Sequence, residues 1–208
     1  MNKIIIINTG NGNFLSVKRA VELFYKNVEI SDKADEIKSA AKIILPGVGA
    51  FKDSVNILKK KKIFDTIKEV SKDTPLLGIC LGMQLLFKNS NEFGLSEGLN
   101  LINGEIRPLA LEENNDLALK VPNIGWYSLN SNSKNSKFFN KELDEFYFIH
   151  SFYAKNVKAD NLIASYTFGN LKVPAIVKDK TIIGCQFHPE KSRGAGLNII
   201  KKFLNDEI

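Results

Sequence analysis

The fold is decided by the stretch TPLLGICLGMQLLF, which runs from Thr74 to Phe87. A short apolar run, typical of a buried strand, follows the proline, and apolar residues then recur at helical spacing. Cys80 stands at the junction, with Gly78 and Gly82 two residues to either side. This pattern predicts a sharp turn from strand to helix that exposes the sulfur, and the start of the helix would favour the thiolate. A buried structural cysteine between two packing glycines is the alternative.

A catalytic cysteine needs a general base, and the chain offers only two histidines, His150 and His188. His188 follows a strand-like apolar run and is continued by Pro189 and Glu190. Alternate residues of an extended chain point to the same side, so we expect the imidazole and the carboxylate to project together, with the proline keeping the chain extended. The sequence therefore predicts a catalytic triad of Cys80, His188 and Glu190. The alternative is a packed histidine beside a surface glutamate.

A second glycine-rich turn, PGVGAF at residues 46–51, directly follows the strand-like run Lys42–Leu45. Two glycines around Val48 free the backbone to aim N–H groups at an anion, as stabilisation of an oxyanion requires. The N–H of Leu81, directly after the candidate nucleophile, is the other expected donor. We therefore expect an oxyanion hole formed by Leu81 with Val48 or Gly49, although an ordinary turn has the same composition.

The composition fits one α/β domain over residues 1–208, with 44% hydrophobic residues. Two cysteines do not make a disulfide framework, and the N-terminal apolar run is too short for a signal peptide or a membrane span. We therefore expect a cytoplasmic protein without a membrane partner. The formal charge of +6 is densest at Lys59–Lys62, which we interpret as a solvated helix end and not as a nucleic-acid site, because no recognition motif accompanies it.

The second half of the chain predicts several antiparallel strands, because glycines divide it into short segments. Among these strands are Leu119–Val121 and Phe146–Ile149. Between them, residues 128–141 are rich in Asn, Ser and Lys and predict an exposed loop. A last helix is expected after Ser192.

The motifs GICLGMQ at 78–84 and QFHPE at 186–190 resemble the nucleophile and His-Glu signatures of class I glutamine amidotransferases. The segments at 46–51, 121–126 and 148–153 narrow the resemblance to the glutaminase subunits of imidazole glycerol phosphate synthases, and it covers nearly the whole chain. The resemblance implies an α/β fold with an open, mostly parallel twisted sheet, helices on both faces and added antiparallel strands.

The same resemblance implies hydrolysis of glutamine to glutamate and ammonia through a thioester on Cys80, without a cofactor or a metal. It also implies that the Val48–Gly49 peptide reorients before the oxyanion hole is complete. No acidic residue follows His150 at short distance, so we assign this histidine to substrate contact and not to proton transfer. The positions that match the family's glutamine-binding residues are Gly47, Gln84, His150, Ser151 and Phe152.

A glutaminase of this size, without an acceptor domain, implies a partner, because free ammonia is lost to protonation and diffusion. In the resembled synthases the partner is a (β/α)₈ barrel that makes imidazole glycerol phosphate in histidine biosynthesis, which implies a heterodimer. Trp126 and Lys191 match positions that face this partner. A core tryptophan and a solvated lysine are the alternatives.

Two residues depart from the resembled family, since Asn123 stands where it usually has histidine and Asn8 where it usually has an acidic residue. These departures leave open an ammonia-supplying subunit of a sugar amidotransferase in surface-polysaccharide biosynthesis. The sequence also leaves open a freestanding cysteine γ-glutamyl hydrolase and a non-catalytic basic binding module.

Overall fold

The computed structural model describes residues 3–10, 12–109, 120–131, 138–140 and 144–208. Its strands are β1 (Ile4–Ile7), β2 (Val28–Ser31), β3 (Lys42–Gly47), β4 (Leu76–Cys80), β5 (Asn89–Ser90), β6 (Ser96–Glu97), β7 (Glu105–Pro108), β8 (Asn123–Ser128), β9 (Asn130–Ser131), β10 (Glu145–His150), β11 (Phe152–Lys155), β12 (Leu162–Phe168), β13 (Leu171–Asp179) and β14 (Ile182–Cys185). Its helices are α1 (Phe14–Glu22), α2 (Ala34–Lys38), α3 (Phe51–Lys60), α4 (Phe64–Val70), α5 (Leu81–Gln84) and α6 (Arg193–Leu204). Among the described residues, no helix combines the length and the apolar character that crossing a bilayer requires.

The main sheet has eight strands in the order β2-β1-β3-β4-β14-β13-β12-β9. The five strands from β2 to β14 pair in parallel, and β13, β12 and β9 extend the sheet in antiparallel fashion. A two-stranded sheet, β10-β8, and a four-stranded sheet, β11-β7-β5-β6, accompany it. The predicted mostly parallel sheet with antiparallel additions is confirmed.

Both faces of the parallel half are buried, as the four consecutive isoleucines of β1 predict. Ile4 and Ile6 belong to a core cluster that includes residues of α1 and α6. Ile5 and Ile7 point the other way, into a cluster formed with α2, α3 and α4. Helices therefore cover both faces of the sheet.

The central strand of the active region is β4, which lies between β3 and β14. Gly47 pairs with Cys80 on one side, and Cys185 pairs with Ile79 on the other. Because the carboxyl ends of these three parallel strands meet at one edge of the sheet, residues distant in sequence come together there.

Two sequence-based expectations about the second half are wrong. Residues 120–122 lie outside any strand, Leu119 lies outside the described residues, and the strand of this region is β8, a few positions later. In the expected exposed loop, Leu129, Phe138 and Phe139 are buried, while residues 132–137 and 141 lie outside the described residues. The ring of Phe139 packs edge-on against another phenylalanine at 5.8 Å, so aromatic burial outweighs the polar composition of the segment.

Candidate active site

The turn at Cys80 has the predicted sharp geometry. Cys80 has φ 54° and ψ −112°, a conformation that residues with a side chain rarely adopt outside strained functional turns. A Cβ atom on Gly78 would lie 2.9 Å from the carbonyl oxygen of Gly82, and one on Gly82 would lie 1.7 Å from that of Leu45. Both glycines are therefore required for strand and helix to approach this closely.

The helix after the turn is much shorter than its spacing predicts, since α5 ends at Gln84 and the chain continues in turns. A helix dipole therefore contributes little to the surroundings of the sulfur. The Cys80 Sγ lies 3.9 Å from the carbonyl oxygen of Ile149 and 3.9 Å from Nε2 of Gln186. The second cysteine, Cys185, is fully buried, and burial raises the pKa of its thiol, which makes it inert.

His188 and Glu190 form the predicted pair. Nδ1 of His188 lies 2.8 Å from Oε1 of Glu190, and the two side chains are 4% and 1% exposed. The expected extended conformation is wrong, however, because Pro189–Lys191 is a 3₁₀ turn. The turn is held by the Ser192 hydroxyl, which donates to the His188 carbonyl at 2.6 Å. Oε2 of Glu190 has no hydrogen-bond partner among the described residues.

The His188 imidazole is held in its cationic form. Burial by itself lowers the pKa of His188, but the interactions with the side chains of Cys80 and Glu190 outweigh it and raise the pKa to about 10. The sulfur of Cys80 therefore faces an imidazolium at neutral pH.

Replacing Glu190 with glutamine is expected to lower the pKa of His188, because the carboxylate that favours the cation is lost. The folded protein holds the His188 proton more tightly than the unfolded chain. The pair therefore stabilises the fold fully below about pH 6.5, and this stabilisation is lost as the pH rises towards 10. An NMR titration of the two histidine side chains, together with unfolding at several pH values, measures both effects. A His188 titration that is unchanged in Glu190→Gln would contradict the assignment.

A cavity of about 320 Å³ opens at the turn. The predicted site residues that line it are Val48, Gly49, Cys80, Leu81, Gln84, His150, Ser151, Phe152, His188 and Lys191. Gly47 is buried in β3, where a Cβ atom would come within 3.1 Å of both Leu81 and Gly82, so it packs closely against the turn, and its contact with substrate remains a prediction. Glu190 lies behind His188, and Trp126 is not part of the lining.

Three lining residues, Glu92, Pro122 and Ile149, were not predicted as site residues from the sequence, and Glu92 is the charged one. Its Oε2 accepts the N–H of Phe51, the first residue of α3, at 2.6 Å. Burial raises the pKa of this carboxyl and outweighs the opposing effect of the Phe51 N–H. A single glutamate in a polar turn forms no pattern, and its position shortly after the Cys80 turn is the only signal in the sequence.

Two residues predicted to contact the substrate have their nitrogens bonded within the protein. Nδ1 of His150 lies 2.8 Å from the Phe152 carbonyl oxygen, and Nε2 lies 2.8 Å from the Tyr166 hydroxyl. The Gln84 amide donates to Phe152 O at 3.0 Å and to Oε1 of Gln186 at 3.1 Å. Burial, assisted by the nearby His188, lowers the pKa of His150 to about 4 despite the Phe152 bond, so His150 is neutral. Contact of His150 and Gln84 with substrate remains a prediction.

An exposed apolar face of the two-stranded sheet adjoins the cavity through Ile149. Ile124 and Trp126 of β8 and Ile149 of β10 lie on the outer face of the two-stranded sheet and are exposed. The Trp126 ring packs against Tyr147 at 5.6 Å and beneath the Arg193 guanidinium at 4.7 Å. We call these residues, Ile124, Trp126, Tyr147 and Ile149, the outer face of the β8–β10 sheet.

Comparison with known proteins agrees with this geometry. The family model "Glutamine amidotransferase class-I" matches residues 7–206. The imidazole glycerol phosphate synthase subunit HisH of Lactococcus lactis subsp. lactis (strain IL1403) is 41% identical over 208 residues, covering 99% of this chain and 100% of the relative. HisH of Geobacillus sp. (strain WCH70) is 42% identical over 201 residues, covering 96% and 95%. A solved structure, "Crystal structure of glutamine amidotransferase", has a similar fold, with TM-score 0.71 at 15% identity over 97% of each chain. With a match over nearly its whole length, the chain belongs to the class I glutamine amidotransferase family.

Proposed function

We propose that the protein is the glutaminase subunit of an imidazole glycerol phosphate synthase, which releases ammonia from glutamine and passes it to a synthase subunit. The observation that carries the proposal is the strained Cys80 turn beside the buried pair of His188 and Glu190, all at one cavity. The names of relatives about 40% identical over nearly the full length support the choice of synthase.

In the first half of the reaction, the Cys80 thiolate attacks the side-chain amide carbon of glutamine. The carbonyl oxygen becomes an oxyanion, for which backbone N–H groups of Leu81 and of Val48 or Gly49 are the proposed donors, and these residues line the cavity. The His188 imidazolium then gives its proton to the departing nitrogen. The C–N bond breaks, and ammonia and a γ-glutamyl thioester result.

In the second half, the neutral His188 takes a proton from water, whose oxygen attacks the thioester carbon. The C–S bond breaks, glutamate leaves and the thiolate returns with the imidazolium beside it. Glu190 stabilises the cation and fixes the imidazole through the 2.8 Å contact at Nδ1, which directs Nε2 to the reacting groups.

The cavity also suits the amino-acid end of glutamine. Its volume of about 320 Å³ matches a small ligand, and Glu92 brings a carboxylate to the lining. We propose that Glu92 pairs with the α-ammonium group of the substrate. The carboxylate would thereby favour a free amino acid over a glutamine within a peptide chain.

The proposed partner is a (β/α)₈-barrel synthase subunit that docks on the outer face of the β8–β10 sheet. This face is apolar and exposed, and Ile149 belongs both to it and to the cavity lining. Lys191, which is exposed and lines the same cavity, adds a positive charge beside it. Ammonia formed at Cys80 would reach this face over a short path. The proposal assigns the reaction to the cytoplasm, and the two unpaired cysteines agree with a reducing compartment.

The experiment that tests the function measures glutamate release from glutamine with and without the barrel subunit from the same cell. We expect slow release by the isolated chain and a strong increase in the complex. Strong activity without a partner, or activity on γ-glutamyl peptides, would favour a freestanding hydrolase. Activation by a sugar amidotransferase, and not by the barrel subunit, would favour the polysaccharide pathway.

Replacing Trp126 with alanine is expected to weaken binding of the barrel subunit at least about tenfold, because exposed aromatic residues carry much of the energy of interfaces. Titration calorimetry with the purified subunit measures the Kd. Phe24→Ala is a matched control, since Phe24 is 40% and Trp126 39% exposed, while Phe24 lies beyond the end of α1. Equal Kd values for both variants would argue against docking on the outer face.

A further inference from the structure

A series of buried hydrogen bonds joins β8 to the wall of the cavity. The Tyr127 hydroxyl donates to Oδ1 of Asn123 at 2.6 Å, and the Asn123 amide donates to the Tyr166 hydroxyl at 2.7 Å. Tyr166 in turn lies 2.8 Å from Nε2 of His150, whose Nδ1 lies 2.8 Å from the Phe152 carbonyl oxygen. Asn123 and Tyr166 are 2% and 1% exposed, so water does not compete for these groups.

The chemistry of the groups permits only one arrangement of protons. A carbonyl oxygen can only accept, so Nδ1 of His150 must carry the imidazole proton. A neutral imidazole has one such proton, and Nε2 therefore accepts the hydroxyl hydrogen of Tyr166. The Tyr166 oxygen remains as the acceptor for the Asn123 amide. The tautomer of His150 is thus fixed from both sides.

The end of the series lies at the reacting groups. His150, Ser151 and Phe152 line the cavity. The Phe152 carbonyl oxygen also accepts from Gln84, and Gln84 donates to Gln186, whose amide nitrogen lies 3.9 Å from the Cys80 sulfur. A shift of His150 would therefore displace the cavity wall.

We propose that Tyr166 and Asn123 are positioning residues for glutamine hydrolysis, which hold His150 in a single tautomer and thereby fix the cavity wall formed by residues 150–152. The inference rests on the proposed glutaminase function. It gives His150, which lines the cavity, a supporting role in which both ring nitrogens form hydrogen bonds within the protein. The Tyr166 ring is held by packing against Phe148 at 4.3 Å and Tyr127 at 4.7 Å, so the hydroxyl can be removed without moving the ring.

The kinetic test uses Tyr166→Phe in the complex with the barrel subunit. We expect the KM for glutamine to rise about tenfold and kcat to change less than about threefold, because a buried Nε2 loses its donor while the triad is untouched. Tyr127→Phe, one bond further from His150, should show a smaller rise in KM. Tyr25→Phe, near the end of α1, removes the same atom away from the site and should behave as the wild type. An unchanged KM in Tyr166→Phe, or a loss confined to kcat, would overturn the proposal.

Two further measurements keep the test decisive if Tyr166→Phe folds poorly. His150→Asn retains a donor near the position of Nδ1, so its KM should stay closer to the wild-type value than that of His150→Ala. Equal KM values in both variants would count against the proposal.

Nitrogen-15 NMR of the unliganded wild type should show the His150 proton on Nδ1, and assignment is simple because the chain has two histidines. A proton on Nε2 would refute the positioning role without reference to activity, whereas absence of turnover in the wild-type complex would refute the glutaminase function.

Discussion

Replacing Cys80 with alanine is expected to lower kcat for glutamine hydrolysis by at least about 10⁴-fold, because no other described group in the cavity can form the thioester. Glutamate release by the complex with the barrel subunit measures the loss. Mass spectrometry of the wild type quenched during turnover should find the γ-glutamyl adduct on Cys80. The Cys80→Ala variant keeps the glycines on both sides of the turn, so the turn should keep its backbone conformation. The complex with the barrel subunit should therefore still form.

The control is Cys185→Ala, which removes the other thiol of the chain. Cys185 is buried in β14 beside β4 and does not line the cavity, so its loss should reduce stability and leave turnover intact. Turnover that persists in Cys80→Ala, or that disappears in Cys185→Ala, would mean that the nucleophile is misassigned.

Replacing Gly82 with alanine is expected to lower the free energy of unfolding by about 4 kcal/mol or more, a severe effect for one methyl group. The added Cβ atom would lie 1.7 Å from the carbonyl oxygen of Leu45 and 2.7 Å from its carbon. These atoms belong to β3, which is paired with β4, so the clash can be relieved only by separating the turn from the sheet. Urea unfolding measures the change.

Gly194→Ala makes the same change where there is room. A Cβ atom on Gly194 has nothing within 4 Å, and the residue lies in α6, where alanine is preferred to glycine by up to about 1 kcal/mol. We expect this variant to be as stable as the wild type or slightly more stable. A Gly82→Ala protein within about 1 kcal/mol of the wild type would show that the turn tolerates a side chain.

The sequence predicts best where a local pattern has one physical solution. The four isoleucines of β1 suit only a strand buried on both faces, and the spacing of Gly78, Cys80 and Gly82 suits only a close turn. The pairing of His188 with Glu190 also follows from two nearby residues, although the 3₁₀ turn that produces it was not predicted. In each case the sequence pattern that allows the prediction lies within a few neighbouring residues.

The strand β8 was misplaced because its pattern is the reverse of the usual one. Asn123 is buried, whereas Ile124 and Trp126 are exposed. A rule that turns apolar residues inward cannot locate a strand whose apolar side chains are exposed and whose polar residue lies in a buried series of hydrogen bonds. The hydrogen bond between His150 and Tyr166 could not be predicted from the sequence either, because it joins two sheets and follows no spacing rule.

The pairing of β4 with β14 also has a consequence for biosynthesis. The ribosome adds roughly 5 to 20 residues per second, and about a hundred residues lie between Cys80 and His188. His188 is therefore synthesised roughly 5 to 20 seconds after Cys80. During that interval β4 lacks β14, one of its two neighbours, and the sulfur lacks its base. A nascent or truncated chain that ends before β14 therefore cannot hydrolyse glutamine.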